Sequence, residues 1–380
     1  MQIRICRNEE MKKQTIEEAC TLHARIGWQG LTKAEYLDSG DYYLVTGVDF
    51  SDGLIDFEHC HYVTQDRYEQ DEHIQLKADD VLVTKDGTIG KVAIIECLDK
   101  PATLNSGVFV VRPKNKSSLL PEYLVFSLRS GHFSRFIEQI KVGCTIAHLN
   151  QAKFLKYEIP DISVEEQQHV IDILKRAETV VKASQEELRK LDELIKARFV
   201  ELFGDMILNP NGWEKVLLGE ACDVRDGTHD SPKYFPKGYP LVTSKNVTGG
   251  KIDFTDCSLI CEEDYNKINQ RSKVDLGDIL MPMIGTVGNP VIVDIDAEFA
   301  IKNVALIKFR DNSTVINVFV KALLESDYFD RSVISKVRGG TQKFISLGDI
   351  RKLEICLPPM DVQEQFSDFV KQVNKSKVAE

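Results

Sequence analysis

The chain has 380 residues, enough for two domains rather than one. It is 43% hydrophobic and 28% charged, with no run near the roughly 18 uninterrupted apolar residues of a membrane span and no apolar secretory core in Met1 to Lys13, which points to the cytoplasm. A net charge of -11, from 48 basic against 59 acidic residues, argues against holding a polyanion by bulk charge and leaves local basic faces for that purpose, while nine scattered cysteines read as reduced thiols.

From the N-terminus, short β-branched runs punctuated by glycine come first. Tyr42 to Phe57 (YYLVTGVDFSDGLIDF) and Ala78 to Ile94 (ADDVLVTKDGTIGKVAI) read as strands, the second folding into a hairpin about GTIG. A helical stretch follows from Leu120 to Gln139, with Gly143 beyond it as a cap. After Pro160 the period changes. Val170, Leu174, Ala177, Val181, Ser184, Leu188, Leu191, Ile195, Arg198 and Leu202 step by four and three, which is a coiled-coil seam. Ser163 with Glu166 forms a capping box at its start, and Gly204 with Pro210 ends it.

The chain then repeats itself. Tyr239 to Phe254 (YPLVTSKNVTGGKIDF) echoes the first strand block, with Leu44 and Leu241 lying 197 residues apart. Leu276 to Ile292 (LGDILMPMIGTVGNPVI) echoes the hairpin, with Gly87 and Gly285 lying 198 apart. A third block, Ser130 through Gly143, Thr145, Leu155, Pro160 and Gln167, recurs as Ser326 through Gly340, Thr341, Leu353, Pro358 and Gln365. A second helical stretch, Val315 to Val337, runs into Gly339 and Gly340. After Pro358 and Pro359, Phe366, Val370 and Val373 resume the helical steps over a shorter length. Three co-linear blocks at nearly constant spacing indicate tandem duplication of a whole domain. The expectation is an α+β chain: two duplicated domains with curved, mostly antiparallel sheets, joined by long coiled-coil helices into a pseudo-two-fold object. The boundaries are 1–160, the helix 161–208, 209–358 and a short helix 359–380. A lone amphipathic helix needs a partner, so the two helices are expected to pair antiparallel, leaving part of the longer one for another protein.

The sequence offers no catalytic constellation: no phosphate loop, GxGxxG, HExxH, kinase signature or GxSxG elbow occurs. Cys257 and Cys261 lack a second pair for zinc. Binding is better supported. RDGTHDSPKYFPKG (Arg225 to Gly238) is a turn-rich loop carrying Arg225, Thr228, His229, Lys233 and Lys237 with Tyr234 and Phe235, a mixture suited to phosphate and base edges, although Asp226 and Asp230 offset its charge. Lys245 and Asn246 are residue types that read guanine and adenine edges, and Gly47 and Val48 occupy the same position in the first copy. In RSVISKVRGGTQKF (Arg331 to Phe344), Arg331, Lys336, Arg338 and Lys343 stand without an acid among them, and the glycines let the backbone approach a polyanion that Thr341 and Gln342 can bond. The first-copy counterpart supplies Lys141, Thr145 and His148. In the GTIG and GTVG turns the glycines have sufficient structural reason, with Lys85, Thr88 and Lys91 as further candidates for nucleic-acid contact.

Duplicated α+β domains, each followed by a heptad helix behind a Pro-rich turn and a Glu/Gln triplet, resemble the specificity subunit of type I restriction-modification systems. The residues carrying the resemblance are DGTHDSPKY (Asp226 to Tyr234), YPLVTSKNV (Tyr239 to Val247), GDILMPMIGTVG (Gly277 to Gly288) and GGTQKFISLGDIRKLEICLPPMDVQEQ (Gly339 to Gln365). The first copy follows more loosely with LVTKDGTIGKVAI and KFLKYEIPDISVEEQ. The resemblance implies a non-catalytic chain whose two target-recognition domains grip the halves of a bipartite double-stranded DNA site. It further implies two modification subunits docked on the helices, bringing S-adenosylmethionine and the adenine-methylating residues, and restriction subunits that translocate and cut. The docking seam would be Val170, Leu174, Val181, Leu188, Leu191, Ile195 and Leu202 with Phe366, Val370 and Val373. The early end of the second helix departs from the family's matched pair. A helix from about Val164 to Glu201 is on the order of 57 Å long at about 1.5 Å per residue, against about 34–36 Å for one turn of B-DNA. Domains at its ends would stand more than a turn apart, which predicts a split target with the helix as ruler. The competing reading is a protein-binding scaffold or inhibitor that works through the helix.

Overall fold

Strands form where β-branched and aromatic residues are bounded by turn formers, and each half of the chain builds the same set of them. The computed structural model describes residues 12–141, 148–284, 287–336 and 344–378. Two compact units result, residues 1–182 and 183–380.

The first unit opens with β1 (Lys13–Thr15), a one-turn helix α1 (Ile16–Ala19) and β2 (Cys20–His23). β3 (Tyr42–Val45), the hairpin of β4 (Phe50–Ser51) and β5 (Leu54–Ile55), and β6 (His61–Val63) follow. After α2 (Gln65–Glu69) come β7 (Val81–Thr84), β8 (Val92–Ile94), β9 (Ala102–Leu104) and β10 (Val108–Pro113). The unit ends through α3 (Pro121–Leu128), α4 (Gly131–Lys141), α5 (Gln151–Leu155), β11 (Glu158–Pro160) and the start of α6 (Val164–Phe203).

The second unit takes the remainder of α6 and repeats the order. It has β12 (Lys215–Leu217), α7 (Leu218–Ala221), β13 (Asp223–Asp226), β14 (Tyr239–Val242), β15 (Val247–Thr248), β16 (Lys251–Ile252) and β17 (Ser258–Ile260). Next come α8 (Glu262–Ser272), β18 (Ile279–Pro282), β19 (Val291–Ile292), β20 (Ala300–Ile301) and β21 (Val304–Lys308). Its helices α9 (Asn317–Leu324), α10 (Asp327–Ser332) and α11 (Leu347–Arg351) lead to β22 (Glu354–Cys356) and α12 (Met360–Val378).

Sheet topology is identical in the two units. The main sheets run β2-β10-β7-β8 and β13-β21-β18-β19, and the smaller ones β6-β3-β9 and β17-β14-β20. Among the strands of the described residues all pairings are antiparallel except β3 with β9 and β14 with β20, so the mostly antiparallel α+β reading holds. The GTIG hairpin is present as β7 with β8, and its second-copy counterpart as β18 with β19. Antiparallel pairs β1 with β11 and β12 with β22 close each unit next to its following long helix.

Each main sheet is covered on both faces, which is why its central strands are apolar without alternation. Val81, Val83, Phe109 and Val111 face a core shared with α3, α4 and α5, while Leu82, Val108 and Val110 face the smaller sheet. In the second unit Ile279, Met281, Ala305 and Ile307 take the helix side, and Leu280, Val304 and Leu306 the other.

Two sequence expectations are corrected and one repeat is added. The stretch Leu120 to Gln139 is two helices, and the described part of Val315 to Val337 is two helices followed by a 3-10 turn at Ile334–Lys336, because a serine breaks each: Ser130 Oγ donates to the Ser127 carbonyl at 2.7 Å, and Ser326 Oγ to the Leu323 carbonyl at 2.6 Å. The register of the third block is two residues off. Strand pairing matches Glu158 with Glu354, so Gln167 corresponds to Gln363 rather than Gln365, and Pro160 to Cys356 rather than Pro358. Finally, a repeat at the front of each unit goes unread in the blocks above: EAC at Glu18 to Cys20 and again at Glu220 to Cys222. Both cysteines are buried, and burial pushes each thiol up to about 12, so they act as small core hydrophobes.

The long helix starts and stops where expected. Ser163 and Glu166 form the capping box, with Glu166 amide donating to Ser163 Oγ at 3.3 Å, and Gly204 ends the helix at φ +69°. Its last turns pair antiparallel with α12: Phe199 and Phe203 pack on Phe366, Arg198 lies over the Phe369 ring, and Lys377 meets Asp192 at 2.5 Å. Among the described residues no helix is long and apolar enough to cross a membrane.

Candidate nucleic-acid interface

At one end of the first unit five loops meet. The β7–β8 turn is built on Thr84, whose hydroxyl donates to the Thr88 carbonyl at 2.6 Å and accepts from the Lys91 amide at 2.9 Å. Gly87 and Gly90 supply the positive φ values it needs. The Lys85 amide donates to Gly107 O at 2.8 Å, tying in the β9–β10 turn, and the Leu149 amide donates to Lys85 O at 2.9 Å, bringing in the segment before α5. His148 pairs there with Asp86. The turn after β3 lies against the same place, since a Cβ on Gly47 would sit 3.3 Å from Thr84. The loop after β2 joins through Tyr36, which hydrogen-bonds Asn105.

The second unit assembles the same end from corresponding parts. Thr228 amide donates to Ile301 O at 3.0 Å, and His229 bridges Asn303 at 2.7 Å and the buried Asp226 at 2.8 Å. Arg271 also pairs with Asp226. Lys302 Nζ donates to Ser231 Oγ at 2.6 Å, and Ser244 Oγ donates to Asn303 O at 3.4 Å. The Ile345 amide donates to Met283 O at 2.9 Å, in the position that Leu149 and Lys85 occupy in the first unit.

Lys85, Thr88, Lys91 and His148 are therefore brought together, Lys85 with its ammonium 5.1 Å from the Phe109 ring centroid and Thr88 and Lys91 in solvent. Lys141 ends α4 and pairs with Glu138 at 2.7 Å; that helix packs on the turn, since a Cβ on Gly90 would lie 2.8 Å from Ile137. In the second unit Thr228, His229 and exposed Lys245 share the loop end, while exposed Lys233 lies over the Phe235 ring at 5.8 Å. Thr145, Arg338, Thr341, Gln342 and Lys343, with Gly143, Gly285, Gly339 and Gly340, lie outside the described residues.

Arg225 and Asn246 are taken up by the fold. Arg225 forks onto Asp223 at 2.5 and 3.0 Å and donates to the Arg271 carbonyl at 2.9 Å, and the Asp223 hydrogen bond raises its pKa. Asn246 is 3% exposed and cannot read a base edge: its side-chain oxygen accepts from the Thr243 amide and hydroxyl at 3.0 and 2.9 Å, and its amide group donates to Asp253 O at 3.2 Å. The first-copy counterparts are Val48 for Lys245 and Asp49 for Asn246, not Gly47 and Val48: the 197-residue spacing of Leu44 and Leu241 gives this pairing, and Asp49 closes the same turn on Thr46.

Arg25 is the site-shaping residue that sequence reasoning misses. It is 1% exposed, and its guanidinium donates to Leu104 O at 2.8 Å, Thr103 Oγ1 at 3.2 Å and Gln70 Oε1 at 3.2 Å, anchoring the loop after β2. A lone arginine in HARIGWQG carries no pattern that marks it as buried. Burial lowers its pKa.

The proposed docking seam divides into parts. Val170 packs on the first core, and Ile195, Leu202 and Val370 on the second, which contains the buried Phe366; Val373 is buried too. Leu191 is half-buried; Leu174, Val181 and Leu188 are exposed, with Val181 at 54%. The buried anchors of α6 are Gln167, Ile171, Phe199 and Phe203, off the seam, and beside its end Ile195, Phe199, Val200, Met206 and Tyr328 line a groove of about 340 Å³. Among the described residues no three His, Cys, Asp or Glu side chains gather as a metal set.

A duplicated module that presents the same cluster of loops from each copy, with different side chains on them, is a tandem recognition protein. The family of the type I restriction modification DNA specificity domain matches residues 8–193 and again 210–379, and the chain belongs to it. It is 24% identical over 323 residues to the type I restriction enzyme MjaIX specificity subunit of Methanocaldococcus jannaschii, covering 76% of this chain and 69% of that one. To the MjaVIII specificity subunit of the same organism it is 25% identical over 324 residues, covering 80% and 74%. Its fold matches the S subunit of a type I restriction-modification system from M. genitalium, with TM-score 0.52 at 15% identity over 99% of this chain and 92% of that one. The chain is thus a type I specificity subunit with two recognition domains, a DNA-recognition component without catalysis of its own, and works with DNA and the other subunits of a restriction-modification complex.

Proposed function

We propose that the two recognition domains read the two halves of a bipartite double-stranded DNA target, each through its five-loop end. The observation that carries this is the recurrence of that end in both units, built by equivalent backbone hydrogen bonds and furnished with different exposed side chains. Lysines and histidines there suit phosphate and base edges, and a local basic face is sufficient on an acidic chain. The exposed apolar positions of α6, Leu174, Val181 and Leu188, are the docking surface for two modification subunits that bring S-adenosylmethionine and methylate adenine, with restriction subunits completing a cytoplasmic complex.

The test is methylation mapping in a host expressing this chain with its modification subunit, against deletion of this chain. A split motif methylated on adenine and lost on deletion is expected. Methylation that survives deletion would overturn the reading in favour of a scaffold or inhibitor.

A further inference from the structure

One turn is held in the same frame in both units and carries a different side chain. After β3, the Asp49 carboxylate accepts from the Thr46 amide at 2.7 Å and hydroxyl at 2.9 Å, and the Asp49 amide returns to the Thr46 carbonyl at 3.3 Å. After β14, Asn246 accepts from Thr243 at 3.0 and 2.9 Å, and its amide returns at 2.9 Å. The next link is also shared: Asp56 amide donates to Asp49 O at 2.9 Å, and Asp253 amide to Asn246 O at 2.8 Å. Asp49 and Asn246 are 5% and 3% exposed, whereas the residue before each stands in solvent, Val48 at 84% exposure and Lys245 also exposed.

The turn does not need either side chain. Val48 contributes its amide, which donates to Thr46 Oγ1 at 3.4 Å, and Lys245 reaches the Asp256 carbonyl at 3.0 Å on the neighbouring segment. A buried clamp fixes the backbone while the tip is free to differ, which is how a reading position on a rigid scaffold is made. Both turns belong to the loop ends described above, Gly47 against Thr84 and Ser244 on Asn303.

We propose that Val48 and Lys245 are the equivalent base-reading positions of the two domains, an inference that rests on the DNA-reading role proposed for these loop ends. Val48 takes the C5-methyl of thymine, the apolar feature of the major groove, and Lys245 donates to guanine O6 and N7. Equivalent places on two copies thereby select different bases, which lets one duplicated scaffold read an asymmetric target.

The experiment maps methylation by the complete complex carrying the native chain, Val48→Lys, Lys245→Val or Lys245→Arg. Lys245→Val should relax or change one base in one half of the motif, with a preference shift of about tenfold or more, and Val48→Lys one base in the other half. Lys245→Arg should keep the native motif, since arginine also pairs with guanine. The clamps are untouched, and equal unfolding midpoints confirm that the variants fold. An unchanged motif in both Val48→Lys and Lys245→Val overturns the proposal, as does a uniform drop at every site, which marks a phosphate contact. Absence of a split motif with the native chain instead defeats the DNA-reading role itself.

Discussion

Asp49 and Asn246 do the same work with different chemistry. Burial raises the pKa of Asp49 above the ordinary 3.8, against the hydrogen bonds from Thr46 that lower it. A raised folded-state value means that the native chain holds the proton more tightly than the unfolded chain. The group's contribution to stability is therefore full below the ordinary value and is lost as the pH rises through the raised one. Asp49→Asn, which copies the second unit, should keep the turn and remove that decline, so denaturant unfolding from pH 4 upward should show the variant gaining on the native chain. Asn246→Ala should cost about 1–3 kcal/mol, because the Thr243 amide and hydroxyl lose their buried acceptor. Equal stability of Asn246→Ala and the native chain would return Asn246 to the pool of DNA-facing residues. A residue's type suggested a base reader here, and burial, which sequence does not display, decided otherwise.

The helices were the most legible elements and also show where periodicity stops being informative. Ser163, Glu166 and Gly204 mark the ends of α6 as read, because capping is local chemistry. Of the heptad positions, Val170, Ile195 and Leu202 pack on the cores and Leu174, Val181 and Leu188 are exposed, while the residues that anchor the helix are Ile171, Phe199 and Phe203, one step around. Two apolar stripes lie side by side on one helix, and a single-period reading finds one of them. They differ in burial. Phe203→Ala should cost about 3–5 kcal/mol of stability, since Phe203 is 1% exposed and packs on Phe319 and Phe366. Val181→Glu with Leu188→Glu should leave the isolated chain's unfolding unchanged and abolish co-purification with the modification subunit. If that double variant still co-purifies fully, the exposed stripe is not the docking surface. Gln167 and Gln363 show the same limit differently. Each is 0% exposed and hydrogen-bonds three backbone groups at the entry to its helix, for Gln363 Ile316 N, Thr314 O and Pro358 O. The neighbouring glutamines, Gln168 and Gln365, are exposed, so sequence alone offered two choices at each copy.

The whole chain is one domain-plus-helix unit written twice, and this was readable because duplication leaves co-linear blocks that no local fold rule produces. What stayed hidden was the register at the edges, where insertions of a few residues fall in loops: the spacing between equivalent residues is 202 from Cys20 to Cys222, 197 from Leu44 to Leu241 and 196 from Glu158 to Glu354. Sheet pairing removes that ambiguity and fixes where one copy can replace the other. Lys13 pairs with Pro160 and Lys215 with Cys356, so each unit begins and ends on a matched antiparallel pair beside its long helix. Replacing residues 215–356 by residues 13–160 should then preserve both closing sheets and the entry into α12. Each core also draws on the flanking helices, Ile171 in the first and Phe199, Phe203 and Phe366 in the second, so the graft must repack on Phe199, Phe203 and Phe366; where it folds, the half read by the second domain should become the sequence read by the first, with the first half unchanged. Methylation mapping of the graft with its modification subunit checks this. A graft that folds but leaves the second half of the motif as it was would mean that the bases are chosen elsewhere than in the recognition domains, and the assignment of one half-site to each unit would fall.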